Sequence, residues 1–291
     1  MLLTHNRLLH IRSSKKTRSG GGCGRCADQP ERETDVLKRK RKGSIPMESH
    51  SNKLEKTIVE KAKELGASLV GIASIADLKA SVSYKIYDQK PFYEECKAVE
   101  WDEAHKSVLV WALVHPASEP VLDWWSMKVP GFTPGNRVMR MQSRKLRIWL
   151  GEELGINALS LPYQIEYGGA FLKDSAHLAG LGVIGKNNLL VTPEYGTRVR
   201  LRGIFMEAEL EPTGPIDFDP CTGCDMPCHR ACPRGAFRSG TFERPFCKEE
   251  NDQREADFQI LDGSIMGIEE ASEVVKPCRT CEFACPVAQR N

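Results

Sequence analysis

Eight of the chain's eleven cysteines fall in its last quarter, and their spacing constrains the fold more than any other feature. The first group reads Cys221-Thr-Gly-Cys224-Asp-Met-Pro-Cys228-His-Arg-Ala-Cys232-Pro233. Cys247 stands alone, and the second group reads Cys278-Arg-Thr-Cys281-Glu-Phe-Ala-Cys285-Pro286. Each group closes on a cysteine followed at once by proline. Two thiols with a two-residue spacer can be offered by one tight loop to one centre. The thiol before proline lies too far round that loop to join them.

This grammar resembles that of bacterial-type ferredoxins, which hold two [4Fe–4S] clusters and send the last cysteine of each group to the other cluster. On that pattern Cys221, Cys224, Cys228 and Cys285 share one cluster, and Cys232, Cys247, Cys278 and Cys281 share the second. One spacer departs from the common pattern: three residues separate Cys224 from Cys228, and Pro227 offers a reason for an altered loop path. Two structural zinc ions could also use eight cysteines, but zinc favours paired Cys-x-x-Cys knuckles and leaves the doubled Cys-Pro ending unexplained. Disulfides belong to oxidising compartments, and the chain carries no recognisable secretory signal.

A chain of 291 residues has room for about two domains, and a hydrophobic content of 41% suffices for a core. The formal charge of +2 is unevenly spread. Residues 1–46 carry twelve Lys/Arg against four Asp/Glu, a local excess of +8, so residues 47–291 sum to −6. Net charge therefore argues against a nucleic-acid-binding body. Without a long apolar run or an Arg-Arg export signal, the expected location is the cytoplasm, with no membrane span.

The chain divides into a basic, Ser/Gly-rich extension over 1–46, an α/β domain over 47–212 and the cysteine-rich module over 213–291. The extension reads as disordered, with Met47 a candidate true start, and its Cys23-Gly-Arg-Cys26 reads as a chance pair in a flexible tail rather than a redox or metal pair. The lone Cys96 reads as a packing residue. Apolar spacing predicts helices over 52–66, 136–154 and 171–179. Short apolar runs predict strands over 68–73, 107–115, 156–161, 188–192 and 198–210. The stretch 116–135, with Trp124 and Trp125, reads as a long loop whose aromatics either stack on a planar cofactor or pack as core. Helix–strand alternation implies a mixed α/β layer domain, an α+β chain overall once the module is added.

Gly180-Leu-Gly182-Val-Ile-Gly185 matches a dinucleotide-binding fingerprint in letters only. It follows a helix and opens a strand, the reverse of the order that fingerprint needs. Its glycines instead allow backbone to approach either a large ligand or neighbouring backbone.

Taken with Pro193-Glu-Tyr-Gly196 and the cysteine groups, the segment Ala179-Gly-Leu-Gly-Val-Ile-Gly-Lys-Asn187 is similar to the epoxyqueuosine reductase family and to the related corrinoid reductive dehalogenases. The likeness runs from about residue 52 to the end. It implies a nitroreductase-like α/β domain that seats base-off cobalamin beside one of two [4Fe–4S] clusters, with a low-potential ferredoxin or flavodoxin as donor. Gly180, Gly182, Gly185, Lys186 and Asn187 would then lie at the cofactor edge. The resemblance also implies a proton donor thirteen positions before Ala179, which is Glu166, with Tyr167 beside it. The match loosens after Glu166, where Leu172 stands at a position usually held by glutamate. The chain ends six residues after Cys285, without the family's helical-repeat tail, so tRNA is not the expected substrate. Two further readings stand beside this reductase. One is an electron carrier that serves a protein acceptor and has no substrate of its own; the other is a zinc-stabilised interaction protein.

Overall fold

The computed structural model describes residues 51–89, 101–126, 128–129, 133–163 and 165–289. The basic segment with Cys23 and Cys26, and the lone Cys96, lie outside the described residues. In chain order the first elements are α1 (Ser51–Glu64), β1 (Leu69–Ser74), α2 (Ile75–Ala80), α3 (Val82–Gln89) and β2 (Ser107–Val114). Next come α4 (Pro134–Leu154), β3 (Ala158–Ser160), α5 (Leu172–Leu178), β4 (Val183–Ile184), β5 (Leu190–Val191) and β6 (Val199–Met206). The cysteine-rich region holds α6 (Pro227–Arg230), α7 (Arg244–Ala256), β7 (Gln259–Leu261), β8 (Ser272–Val274) and α8 (Thr280–Phe283). Among the described residues no helix is long and apolar enough to cross a membrane.

Four strands make an antiparallel sheet in the order β1-β2-β6-β3. Antiparallel strands usually alternate apolar and polar residues, because one face meets water. β2 does not alternate, because both of its faces are covered. Val108, Val110 and Ala112 enter one apolar cluster, with Ile75 and Leu78 of α2, Tyr84 and Tyr87 of α3, and Leu172 and Ala176 of α5. Leu109 and Trp111 enter the opposite cluster, with Ile58 and Ala62 of α1 and Met139, Leu146 and Leu150 of α4. The register Val108↔Phe205 and Leu109↔Ile204 continues both clusters into β6. The result is a mixed three-layer α/β unit.

α4 begins two residues before the predicted start. Thr133 Oγ1 accepts the Asn136 amide at 3.0 Å, and Pro134 supplies a first-turn φ without an amide that would need a partner. Gly155 ends the helix in the left-handed conformation, at φ +67. The buried face of α4 includes two polar residues, Ser143 and Gln142. Gln142 accepts the Trp111 indole N–H at 3.0 Å and donates to the Leu65 carbonyl at 3.2 Å, so the interior amide is satisfied.

Three strands are markedly shorter than their apolar runs suggest, and β3 keeps only Ala158–Ser160. β6 stops at Met206, and beyond it the Leu210 amide donates to Ser107 Oγ at 2.9 Å. β5 begins at Leu190 rather than Asn188, because Asn188 turns the hairpin at φ +58. The loop after β2 belongs to a satellite core. Trp124 packs with Val129, Met266 and Val274, and the Lys276 ammonium stands 4.4 Å from its ring. Trp125 pairs through backbone with Val275. The loop is thereby joined to the β7–β8 hairpin of the cysteine-rich region.

Candidate metal centres and the hairpin beside them

The first loop of the cysteine-rich region is shaped by Asp219. Its Oδ1 accepts the Cys221 and Thr222 amides at 3.1 and 3.0 Å, and the Thr222 side chain first, then these two amides, hold its pKa below the usual carboxylate value. Gly223 then turns at φ +74, and the Cys224 amide returns to the Cys221 carbonyl. The three-residue spacer before Cys228 is absorbed by Met226, which adopts the left-handed conformation at φ +55. Pro227 then opens α6, which carries Cys228.

Cys221, Cys224, Cys228 and Cys285 line one cavity, closed further by Asn187, Val191 and Met226. Burial raises the Cys228 thiol pKa, and the nearby Cys285, Cys224 and Cys221 raise it further. Cys232, Cys247, Cys278 and Cys281 form a second neighbourhood. Cys281 is pushed up to about 12, by burial first and then by Cys278, Cys247 and Cys232. Burial and the same neighbours also raise Cys247. Thiols crowded in this way ionise only when a cation compensates them, which is how a metal centre couples to its site. All eight thiols are free of disulfides.

Among the described residues no three His, Cys, Asp or Glu side chains converge tightly enough to hold one ion.

Asn251, which the spacing argument did not single out, joins the two sides of the second quartet. It accepts the Cys278 amide at 3.1 Å and donates to the Cys247 carbonyl at 3.0 Å. A polar residue one turn after a lone cysteine on a helix was the available signal. Backbone N–H groups also meet sulfur here, as where the Ala236 amide donates to Cys232 Sγ at 3.3 Å.

The glycine segment becomes the β4–β5 hairpin. A Cβ on Gly182 would lie 2.2 Å from the Val191 carbonyl oxygen, so this glycine serves backbone packing. Gly180 similarly packs against Thr213 and Gly214 at the entry to the cysteine-rich region. Gly185 faces the first quartet, where a Cβ would stand 3.5 Å from Cys221 Sγ. Asn187 is buried beside it and lines the cavity, its Oδ1 accepting the Leu189 amide at 3.2 Å. Lys186 is exposed, and its carbonyl lies 3.1 Å from His229 Nε2. Lys173 of α5, also unforeseen, reaches the hairpin turn, with Nζ 2.6 Å from the Asn188 carbonyl and 2.8 Å from Asn188 Oδ1. Glu166 falls in a single 3-10 turn, Ile165–Tyr167, and its side chain lies outside the described ones.

No protein-family model matches the chain. Epoxyqueuosine reductase of Listeria monocytogenes is 33% identical over 118 residues, 38% of this chain and 28% of that protein. Tetrachloroethene reductive dehalogenase of Sulfurospirillum multivorans is 41% identical over 69 residues, 22% of this chain and 14% of that protein. The chain therefore spans less than a third of these curated relatives' length. A solved selenomethionine-labelled epoxyqueuosine reductase superposes with a TM-score of 0.56 at 20% identity, covering 82% of this chain and 66% of that one. That of Streptococcus thermophilus superposes with a TM-score of 0.55 at 19% identity, covering 81% and 66%. In sequence the chain resembles epoxyqueuosine reductases and a reductive dehalogenase, and it shares the epoxyqueuosine reductase fold.

Proposed function

We propose that this chain is an epoxyqueuosine reductase-like oxidoreductase. In this reading Cys221, Cys224, Cys228 and Cys285 ligate one [4Fe–4S] cluster, and Cys232, Cys247, Cys278 and Cys281 ligate the other. Residues 213–291 take the ferredoxin-like role, and the α/β layers take the nitroreductase-like role of seating a corrinoid. The donor is a low-potential ferredoxin or flavodoxin, and the reaction is cytoplasmic. The observation that carries the reading is the exchange between groups: Cys285 stands with the first group's thiols, and Cys232 with Cys247, Cys278 and Cys281.

When bound, a [4Fe–4S] cluster supplies one-electron storage at a potential on the order of −400 mV. The chain's own residues hold and shield it. Val191 and Met226 present apolar surface to the first quartet, which keeps water from the thiolates. Asn187 buttresses the hairpin against that quartet. Gly180 and Gly182 pack against neighbouring backbone, while Gly185 faces the first quartet. Glu166 is the proposed proton donor, on the turn that precedes α5. A carboxylic acid fills that role where burial raises its pKa.

EPR on anaerobically reconstituted protein mixed with cob(II)alamin tests this function. The expected result is about eight irons per chain, with the cobalt signal converted to a base-off form. Reducible cluster signals beside an unchanged cobalt signal would reject the corrinoid part and leave an electron carrier that serves a protein acceptor.

A further inference from the structure

The segment between Cys278 and Cys285 supplies thiols to both quartets, and its two charged residues are buried against the sheet. Arg279 is 8% exposed and Glu282 is 4% exposed. Their partners come from the far side of the junction. Asp123 lies in the 3-10 turn Pro120–Asp123, His115 directly follows β2, and Arg200 lies on β6.

The contacts form a closed set. Arg200 donates through Nε to Asp123 Oδ1 at 2.7 Å, and through its other arm to Glu282 Oε2 at 3.0 Å. Arg279 donates through Nε to Glu282 Oε2 at 3.1 Å, and through a terminal nitrogen to the His115 carbonyl at 2.9 Å. Its other terminal nitrogen stands 2.6 Å from Asp123 Oδ2. His115 Nδ1 lies 2.9 Å from Asp123 Oδ1. Thr197 donates its hydroxyl to the Glu282 carbonyl at 2.8 Å. Gly135 covers the histidine ring, and a Cβ there would lie 2.5 Å from Nε2. Two guanidiniums and two carboxylates balance, so the set carries no net charge while His115 is neutral.

Burying Asp123, Arg279 and Glu282 beside the part-exposed Arg200 is a poor way to gain stability, because desolvation offsets most of the attraction. What such a set provides is geometry: a guanidinium fork fixes both the distance and the angle of its partners. We propose that Asp123, Arg200, Arg279 and Glu282 form a positioning clamp that sets where the Cys278–Cys285 segment sits against the ends of the central strands β2 and β6, and thus how the two cysteine quartets face each other. The clamp rests on the cluster-binding reading above. None of its residues touches a reacting atom; they act through Cys278, Cys281 and Cys285.

The test compares the full-length reconstituted chain with Asp123→Asn and with Asp123→Asn combined with Arg200→Met. Iron and sulfide content is measured first. EPR of the fully reduced protein then reads the magnetic coupling between the two clusters, and a redox titration reads their midpoint potentials. Asp123→Asn is expected to retain iron, to show weakened and heterogeneous coupling, and to shift the potentials upward, because one positive charge is left uncompensated. The double variant, neutral again, is expected to recover the potentials but not the coupling. Wild-type coupling and potentials in iron-replete Asp123→Asn would overturn the clamp. If Asp123→Asn does not fold, Arg200→Lys keeps the charge and loses the fork. It is expected to broaden the coupling at unchanged potential, and an unaltered spectrum would equally overturn the proposal. A wild-type chain that takes up no iron would reject the cluster reading itself, a result separate from any variant.

Discussion

Along β2, six of eight residues are buried; along the thirteen-residue α7, none is. The two parts of the molecule are held together by different physics. The sheet layers bury two apolar clusters, one on each face, and their stability comes from removing that surface from water. The cysteine-rich region buries its apolar surface in small separate groups, the satellite core under Trp124, the rings around Phe237 and the contacts of Phe218 with Val191. Its order comes from local turns, from Asn251, from the charge set around Glu282, and in the proposed holo state from metal–thiolate bonds. Small modules with thin cores rely on such staples.

This contrast yields predictions of decreasing size. The largest effect is expected on removing iron from reconstituted protein with a chelator. Ligand binding is folding free energy for a metal-held module, so amides of α7 and α8 should exchange freely while those of β2 and β6 keep their protection. Equal loss of protection in β2 would show that the two regions share one source of stability. Next is Leu146→Ala, which opens a cavity between α4 and the sheet. It should cost about 3 kcal/mol in denaturant unfolding and leave iron content per folded chain unchanged. A drop in iron content at full folding would remove the distinction from the other side. The smallest effect is expected from Asn251→Ala, which leaves the Cys278 amide without its acceptor. It should cost about 1 kcal/mol, detected as lower iron retention under mild chelation, with no change in the unfolding midpoint of the iron-free sheet layers.

The same contrast explains what could be read in advance. β2 was legible because eight consecutive apolar or small residues, Ser107 to Val114, have no other stable use than a strand covered on both faces. α4 was legible from its spacing and from Gly155, both local signals. The ends of β5 and β6 were not, since they depend on the turn at Asn188 and on the distant hydroxyl of Ser107. The glycine segment was readable only as a place of close approach. Whether ligand or backbone fills that space depends on Val191, Thr213 and Gly214, and no local pattern reveals them.

By itself the sequence determined the alternation of helix and strand, the thiol-rich character of the last quarter, and the tight loop that presents Cys221 and Cys224. Each of these is set within a few residues, by backbone sterics and by the period of apolar side chains. Only the tertiary structure decided which glycines meet backbone, that Lys173 and Asn251 brace the regions beside the thiols, and that Asp123 and Arg200 close on Arg279 and Glu282 from the ends of the central strands. Those pairings join residues up to 156 positions apart, as Arg279 and Asp123 are, and a charge leaves no periodic mark in the chain to name its distant partner.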